Sequence, residues 1–385
     1  MGTTFLYVGT FSTKGQGGIG IYRYNPEDGS AEYIETVRED VVSGLIYIDK
    51  KRRVLYSIDE RRDNPDFGGK GGGRVFAFSI DGATGALTEI SRQSSFGTMP
   101  AYLTPDKTGD YLLVCSHSDY QWCSRVSRDI TGKYNLEIIH SDSTIVLYPL
   151  EPGGAIGLPC DVRIFPTEGG FHSCLHCVEL SPDGKFFAVC ERNQNKIHFL
   201  RLDYDKERLD LCSTLDFPWG DTFKSGHTPR YGVFHPSKPL FYFNSEYKPF
   251  VTTVRYSETG GLETVLIQDV TPQIPGLENA SFSLSDICIS TGGKFLYALY
   301  RVINAICVFR IDGETGLPEM IQSLQMEGEG PRGFSFSPDG RFLLVANRDS
   351  GDILTLAVHE DGTVRQTGAR TFGLECPGNL SFYCV

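Results

Sequence analysis

The chain has 385 residues, of which 40% are hydrophobic and 22% charged, and its formal net charge is −12. That acidity argues against a nucleic-acid partner, because binders of that class carry basic surfaces, and the absence of an 18-residue apolar run argues against a membrane-spanning helix. With no basic-then-apolar leader before the first strand, and an odd number of cysteines (11), the expectation is a cytoplasmic protein with reduced thiols.

The first predicted strand is Phe5–Phe11 (FLYVGTF), four mainly apolar residues that then turn polar. The same phrase returns at Val54–Glu60, Tyr111–His117, Phe186–Arg192, Leu240–Glu246, Phe295–Arg301 and Phe342–Arg348. Its copies start at residues 5, 54, 111, 186, 240, 295 and 342. A repeat near 40–50 residues built from short strands is the signature of a β-propeller with one four-stranded blade per repeat. Before the phrase comes a strand ending in a turn such as Ser181-Pro182-Asp183-Gly184 or Ser337-Pro338-Asp339-Gly340. Proline fixes φ there, and Asp-Gly tolerates the rest of a tight turn. After the phrase come an alternating strand (Arg74–Ile80, Ala305–Ile311) and a more polar fourth one (Leu87–Arg92, Leu262–Asp269). The four apolar positions of the phrase read as interchangeable strand.

The seven units fill nearly the whole chain, so the expectation is one all-β domain over 1–385, a seven-bladed propeller of antiparallel blades. The first unit lacks its opening strand, while Cys376–Val385 reads like Gly330–Ser337 and then the chain stops. A ring must close, since an open edge invites mispairing. Leu380–Val385 is therefore predicted to supply the innermost strand of the blade built by residues 3–38. Two long loops, Arg61–Gly73 and Ser118–Asp142, are predicted to hang over one mouth of the channel, as lids that set specificity or else as surface excursions or an oligomer contact; loops of this length are often binding loops.

Chemistry concentrates where strands end. The last position of the phrase reads Phe11, Glu60, His117, Arg192, Glu246, Arg301 and Arg348. Counting six residues back from each turn proline, or from the residue in its place, gives His176, Arg230, Arg332, Ser285, Gly44 and Met99. A hairpin puts the start of its first strand beside the end of its second, so both sets face one mouth. That rim holds five arginines, two histidines and two glutamates. Arginine grips carboxylate or phosphate bidentately, and five on one rim repel each other without an anion or acids to neutralise them. The predicted partner is thus a small anionic substrate. Cys174-Leu175-His176-Cys177 has a two-residue cysteine spacing, but no second ligand set accompanies it, so no metal site is assigned.

These residues bring the chain to a known pattern. Tyr7-Val8-Gly9-Thr10, Leu175-His176-Cys177-Val178, Gly226-His227-Thr228-Pro229-Arg230, Asn244-Ser245-Glu246, Tyr300-Arg301 and Ala346-Asn347-Arg348 together resemble the seven-bladed propeller lactonase family. That family includes propeller-type 6-phosphogluconolactonases and 3-carboxy-cis,cis-muconate lactonizing enzymes. The resemblance spans essentially the full length and departs at Cys174 and Tyr231, where the family often has histidine. It implies a cofactor-free enzyme whose catalytic set is His176, Arg230, Glu246 and Arg301. Arg348, Arg332, Arg192, His117, Glu60 and Ser285 would contact substrate. In a lactonase, His176 or Glu246 is the expected base, with Arg230 and Arg301 stabilising the oxyanion. A cycloisomerase would use the same parts on a polycarboxylate, and a non-catalytic scaffold would need none of them. Replacing Arg230 or Glu246 with alanine is expected to remove activity and leave thermal stability largely intact. The expected state is a monomer or a small homo-oligomer.

Overall fold

The computed structural model describes residues 2–12, 17–62, 72–118, 122–168, 170–218, 220–222, 224–277 and 280–385. Among these, thirty strands and no helix are found. Strands β1 (Thr4–Thr10), β2 (Ile19–Tyr24) and β3 (Ala31–Val37) begin the ring. Blade 2 is β4 (Ile46–Asp49), β5 (Val54–Asp59), β6 (Arg74–Ile80) and β7 (Leu87–Ser94). Blade 3 opens with β8 (Pro100–Pro105) and β9 (Tyr111–Ser116), is interrupted by β10 (Trp122–Arg128) and β11 (Tyr134–His140), and resumes with β12 (Ser143–Pro149) and β13 (Asp161–Phe165). Blade 4 comprises β14 (Leu175–Leu180), β15 (Phe187–Glu191), β16 (Lys196–Asp203) and β17 (Arg208–Asp216). In blade 5 the strands are β18 (Pro229–Phe234), β19 (Leu240–Ser245), β20 (Phe250–Tyr256) and β21 (Leu262–Asp269). Blade 6 holds β22 (Leu284–Ile289), β23 (Phe295–Tyr300), β24 (Ala305–Ile311) and β25 (Pro318–Gln325). Blade 7 is β26 (Pro331–Phe336), β27 (Phe342–Asn347), β28 (Asp352–Val358) and β29 (Val364–Thr371).

The last strand, β30 (Pro377–Cys384), pairs antiparallel with β1 and completes the sheet β3-β2-β1-β30. The closure thus follows the sequence expectation, with the strand starting at Pro377 rather than Leu380. Its register runs from Thr4 opposite Cys384 to Thr10 opposite Pro377. The seam it makes with blade 7 buries Leu6, Val8, Leu344, Ala346, Leu380 and Phe382 in one cluster. Each of the leucine, valine and phenylalanine side chains contributes on the order of 1.5–3 kcal/mol when buried.

The repeated phrase does more than fill the core. Its third residue is tyrosine in four copies, and each hydroxyl donates to a glycine carbonyl on an outer turn of the following blade. The pairs are Tyr7–Gly85 at 2.7 Å, Tyr56–Gly154 at 2.9 Å, Tyr242–Gly316 at 2.6 Å and Tyr297–Gly362 at 2.9 Å. All four glycines have φ between 75° and 85°, the left-handed region open to a residue without Cβ. From blade 7 to blade 1, Thr355 makes the equivalent bond to Gly29. The apolar positions of the phrase are therefore not interchangeable, since the third one pins neighbouring blades together.

The described part of segment 118–142 is not a plain loop. It carries the β10–β11 hairpin, whose strands pair only with each other, in a register that sets Val126 opposite Leu136. At its root, the His140 ring stacks on His172 with centroids 5.2 Å apart. Most of the other predicted lid, residues 63–71, lies outside the described residues.

Candidate active site

Each blade brings two residues to the same mouth by one backbone device. The N–H groups of Phe11, Glu60, His117, Arg192, Glu246, Arg301 and Arg348 donate, at 2.8–3.0 Å, to the carbonyls of Cys376, Val42, Met99, Cys174, Thr228, Ser283 and Gly330. Two residues after each acceptor stands the innermost-strand residue of that blade. Where that strand is paired, its register breaks at this point, between Leu175 and Cys177, Pro229 and Gly232, Leu284 and Ile287, and Pro331 and Gly333. A bulge of this kind re-aims a side chain and is common beside active sites. Here it turns His176, Arg230, Ser285 and Arg332 toward the mouth.

Blade 3 needs a correction. Its bulge falls between Pro100 and Tyr102, so the mouth position is Ala101 and not Met99. Met99 has φ 54° and forms the corner that Thr228, Gly330 and Cys376 form in other blades. Counting from proline failed because Pro105 is the last residue of β8, whereas Pro182 lies inside its turn. The true landmark is the turn's first residue. Its side chain accepts from the backbone five residues on, as Ser181 does from Phe186 at 3.0 Å and Asp106 does from Tyr111 at 2.8 Å.

On blades 4 to 6 the site is a carboxylate held among guanidiniums. Glu246, 4% exposed, accepts from Arg192 Nη1 on one oxygen and from Arg301 Nη2 on the other, both at 2.6 Å. Arg230 Nε stands 3.8 Å from the same carboxylate. Burial alone would raise the Glu246 carboxyl, but Arg192, Arg230 and Arg301 outweigh it and hold it well below the usual carboxylate range. Arg230 is fully buried, and its Nη1 donates to the carbonyl of Ser285. Its Nε and Nη2 have no hydrogen-bond partner, nor have Arg301 Nε and His176 Nδ1. A buried polar atom of this kind is costly unless a ligand meets it.

The histidines stand side by side, His117 and His176 having ring centroids 4.6 Å apart. Burial, reinforced by Arg192 for His117 and by Arg230 for His176, keeps both imidazoles well below their ordinary pKa and so neutral near pH 7. His117 Nδ1 lies 3.2 Å from Cys174 Sγ. Cys174 thus stands next to a histidine, and among the described residues no group of three or more His, Cys, Asp or Glu placed to hold a metal ion is found.

Across the mouth, the Arg332 guanidinium lies over the Phe11 ring, 4.3 Å from its centroid. Burial, with Arg230 and Arg301 adding to it, pushes Arg332 down to about 9, so it remains protonated at neutral pH. Glu60 stands beside Gly44, and burial raises its carboxyl to about 7 against the opposing field of Arg332, Arg230 and Arg192. Two predicted contacts are spent elsewhere. Ser285 donates its hydroxyl to the carbonyl of Pro331 at 2.8 Å, so it braces Arg230 through its backbone. Arg348, with 38% of its side chain exposed, pairs with its neighbour Asp349 at 2.7 Å.

Sequence reasoning missed four contributors. Phe11 carries Arg332. Tyr231 packs its ring against both His176, at 5.2 Å, and the Arg230 guanidinium, at 4.3 Å. Further along the innermost strands, Glu179 accepts from the Tyr102 hydroxyl and is raised to about 7 by burial, with Asp286 adding to the shift. Asp286 is itself raised to about 6 by burial. An acid within an otherwise apolar innermost strand was the available signal for Glu179 and Asp286.

This mouth gathers buried guanidiniums around one ionised carboxylate, with neutral imidazoles at its side. A profile of the family described as "Lactonase, 7-bladed beta-propeller" matches residues 5–378, and the chain belongs to that family. It is 27% identical over 354 residues to a protein named 6-phosphogluconolactonase from Formosa agariphila, covering 91% of each chain. A protein of the same name from Bacillus subtilis is 25% identical, with 90% of this chain and 89% of that one covered. Among solved structures, the periplasmic gluconolactonase of Pseudomonas aeruginosa superposes with a TM-score of 0.81 at 23% identity, covering 100% of this chain and 99% of that one.

Proposed function

We propose that the protein hydrolyses a small sugar lactone bearing an anionic group, of the 6-phosphogluconolactone kind. The observation that carries this reading is the pair of unmet donors on fully buried Arg230, beside the unmet Nε of Arg301. Three guanidiniums, those of Arg192, Arg230 and Arg301, surround a single strongly ionised carboxylate, that of Glu246, and the Arg332 guanidinium adds a fourth positive charge across the mouth. A guest anion completes the balance. The relatives named 6-phosphogluconolactonase, matching about nine-tenths of the chain, favour a phosphorylated aldonolactone as that guest.

The geometry favours His176 over Glu246 as the base. Both oxygens of Glu246 are occupied by arginines and its proton affinity is low, so it positions Arg192 and Arg301 rather than accepting a proton. His176 is neutral, with Nδ1 unmet, and it takes the proton from the attacking water. Arg230 and Arg301 receive the negative charge that forms on the carbonyl oxygen. General-base catalysis contributes roughly 10²–10⁴-fold, and one well-placed oxyanion donor about 3–4 kcal/mol.

The test is a panel of aldonolactones with and without phosphate, plus carboxymuconate for the cyclisation alternative. Hydrolysis of the phosphorylated lactone should exceed that of its neutral counterpart. His176→Gln should lower kcat by roughly 100-fold or more at similar melting temperature. Turnover of carboxymuconate alone, or full activity in His176→Gln, would refute the reading.

A further inference from the structure

Glu60 is the one mouth carboxylate to which the base-and-oxyanion scheme gives no task. It occupies on blade 2 the position that Glu246 occupies on blade 5, each N–H making the same bond, to Val42 and Thr228 respectively. Two blades separate them on one side of the ring and three on the other, so the carboxylates face each other across the channel. Their surroundings differ. Glu246 is tied by two arginines at 2.6 Å, whereas Glu60 meets the guanidiniums of Arg332, Arg230 and Arg192 through their longer-range field.

Local packing shows that the Glu60 side chain is directed at the channel. Its Oε2 lies 2.3 Å from where a Cβ on residue 44 would stand, so only glycine there lets the carboxyl fold against the innermost strand. The Phe11 ring fills the adjoining space against Gly44 and Gly378 and supports Arg332. The neighbouring charge on its own strand is accounted for, because Asp59 is buried and bound by Arg74 at 2.7 Å. Tyr231 also lies in its field, and the adjacent Arg61 is engaged by Asp59 at 3.2 Å. The partner that takes a proton at this mouth is the neutral His176, and a carboxyl raised to about 7 that still carries a proton at and below neutrality is its natural counterpart, since environments that separate two titratable groups divide acid from base work.

We propose that Glu60 is the general acid that protonates the departing ring oxygen of the lactone. The proposal rests on the lactonase reading above. Water adds to the carbonyl carbon as His176 takes its proton, leaving an oxyanion against Arg230 and Arg301. The oxyanion collapses, the bond between carbonyl carbon and ring oxygen breaks, and that oxygen takes the proton of the Glu60 carboxyl as it becomes a hydroxyl. Glu60 is left ionised and His176 protonated, and exchange of one proton with solvent by each restores the site.

The experiment compares wild type with Glu60→Gln on an aldonolactone and on its thiolactone analogue, whose thiolate leaves without protonation. The variant should lose roughly 100-fold or more in kcat on the lactone, with KM little changed. It should stay near wild type on the thiolactone and lack the fall in rate expected of wild type above about pH 7. A second readout needs no substrate. The raised carboxyl costs wild type stability as pH climbs from the ordinary glutamate range through about 7, so the melting temperature of the variant should gain on wild type between pH 5 and pH 8. Equal loss on both substrates, or an unchanged lactone kcat, would overturn the acid role and leave the lactonase reading standing. A wild type that opens no lactone would remove both.

Discussion

Replacing Glu246 with glutamine removes one charge from a site where three guanidiniums depend on it. The carboxylate is 4% exposed, touches Arg192 and Arg301 at 2.6 Å, and lies 3.8 Å from Arg230. Breaking a buried pair from one side leaves the other charge uncompensated, at a cost of about 3–5 kcal/mol. With an unfolding entropy of roughly 2.1 cal/mol/K per residue over 385 residues, the melting temperature should fall by about 4–6 °C at pH 7. This reverses the expectation from sequence that Glu246 could be removed without loss of stability. The pH dependence has a definite sign. The folded-state pKa of Glu246 is depressed, so its contribution is present above the ordinary glutamate pKa and disappears as pH falls through and below it. The gap between variant and wild type should therefore narrow in acid. Inorganic phosphate should raise the melting temperature of the variant more than that of wild type, because the anion replaces the missing charge. Differential scanning calorimetry at pH 7 and pH 3, with and without phosphate, reads all of this. A variant that melts with wild type at pH 7 would refute the claim that Glu246 holds the cationic rim together.

Two further outcomes follow from the fold. Deleting residues 376–385 removes β30 and with it the innermost strand of the first blade, so cooperative thermal unfolding should be lost; unchanged melting by circular dichroism would contradict the closure. Replacing 122–140 with a short glycine-serine linker should leave the melting temperature nearly unchanged, since β10 and β11 pair only with each other, while KM should rise if the hairpin covers the mouth. A large loss of stability would show instead that the hairpin belongs to the core.

Much of the site was legible because it is written in strand ends. Residues after the second strand are set by the phrase itself, so Glu60, His117, Arg192, Glu246 and Arg301 could be read from position alone. The innermost-strand set was harder. Its position is marked by the first residue of the turn and not by the proline, and Pro105 ends β8 instead of lying in the turn, which is why Met99 stood in for Ala101. The roles of Ser285 and Arg348 depended on which groups their polar atoms met, and those were a backbone carbonyl and a neighbouring aspartate.

The sequence by itself determined the seven-bladed ring, its closure by the last strand, and the mouth where the charges gather. Periodicity and turn chemistry are local properties, and they repeat. Only the tertiary structure decided what each charge does. Glu246 and Glu60 hold the same place in the repeat, yet one is clamped ionised by arginines from blades 4 and 6 and the other is raised to about 7 by burial. Proton affinity is fixed by burial and by neighbours distant in the chain, which no single repeat encodes.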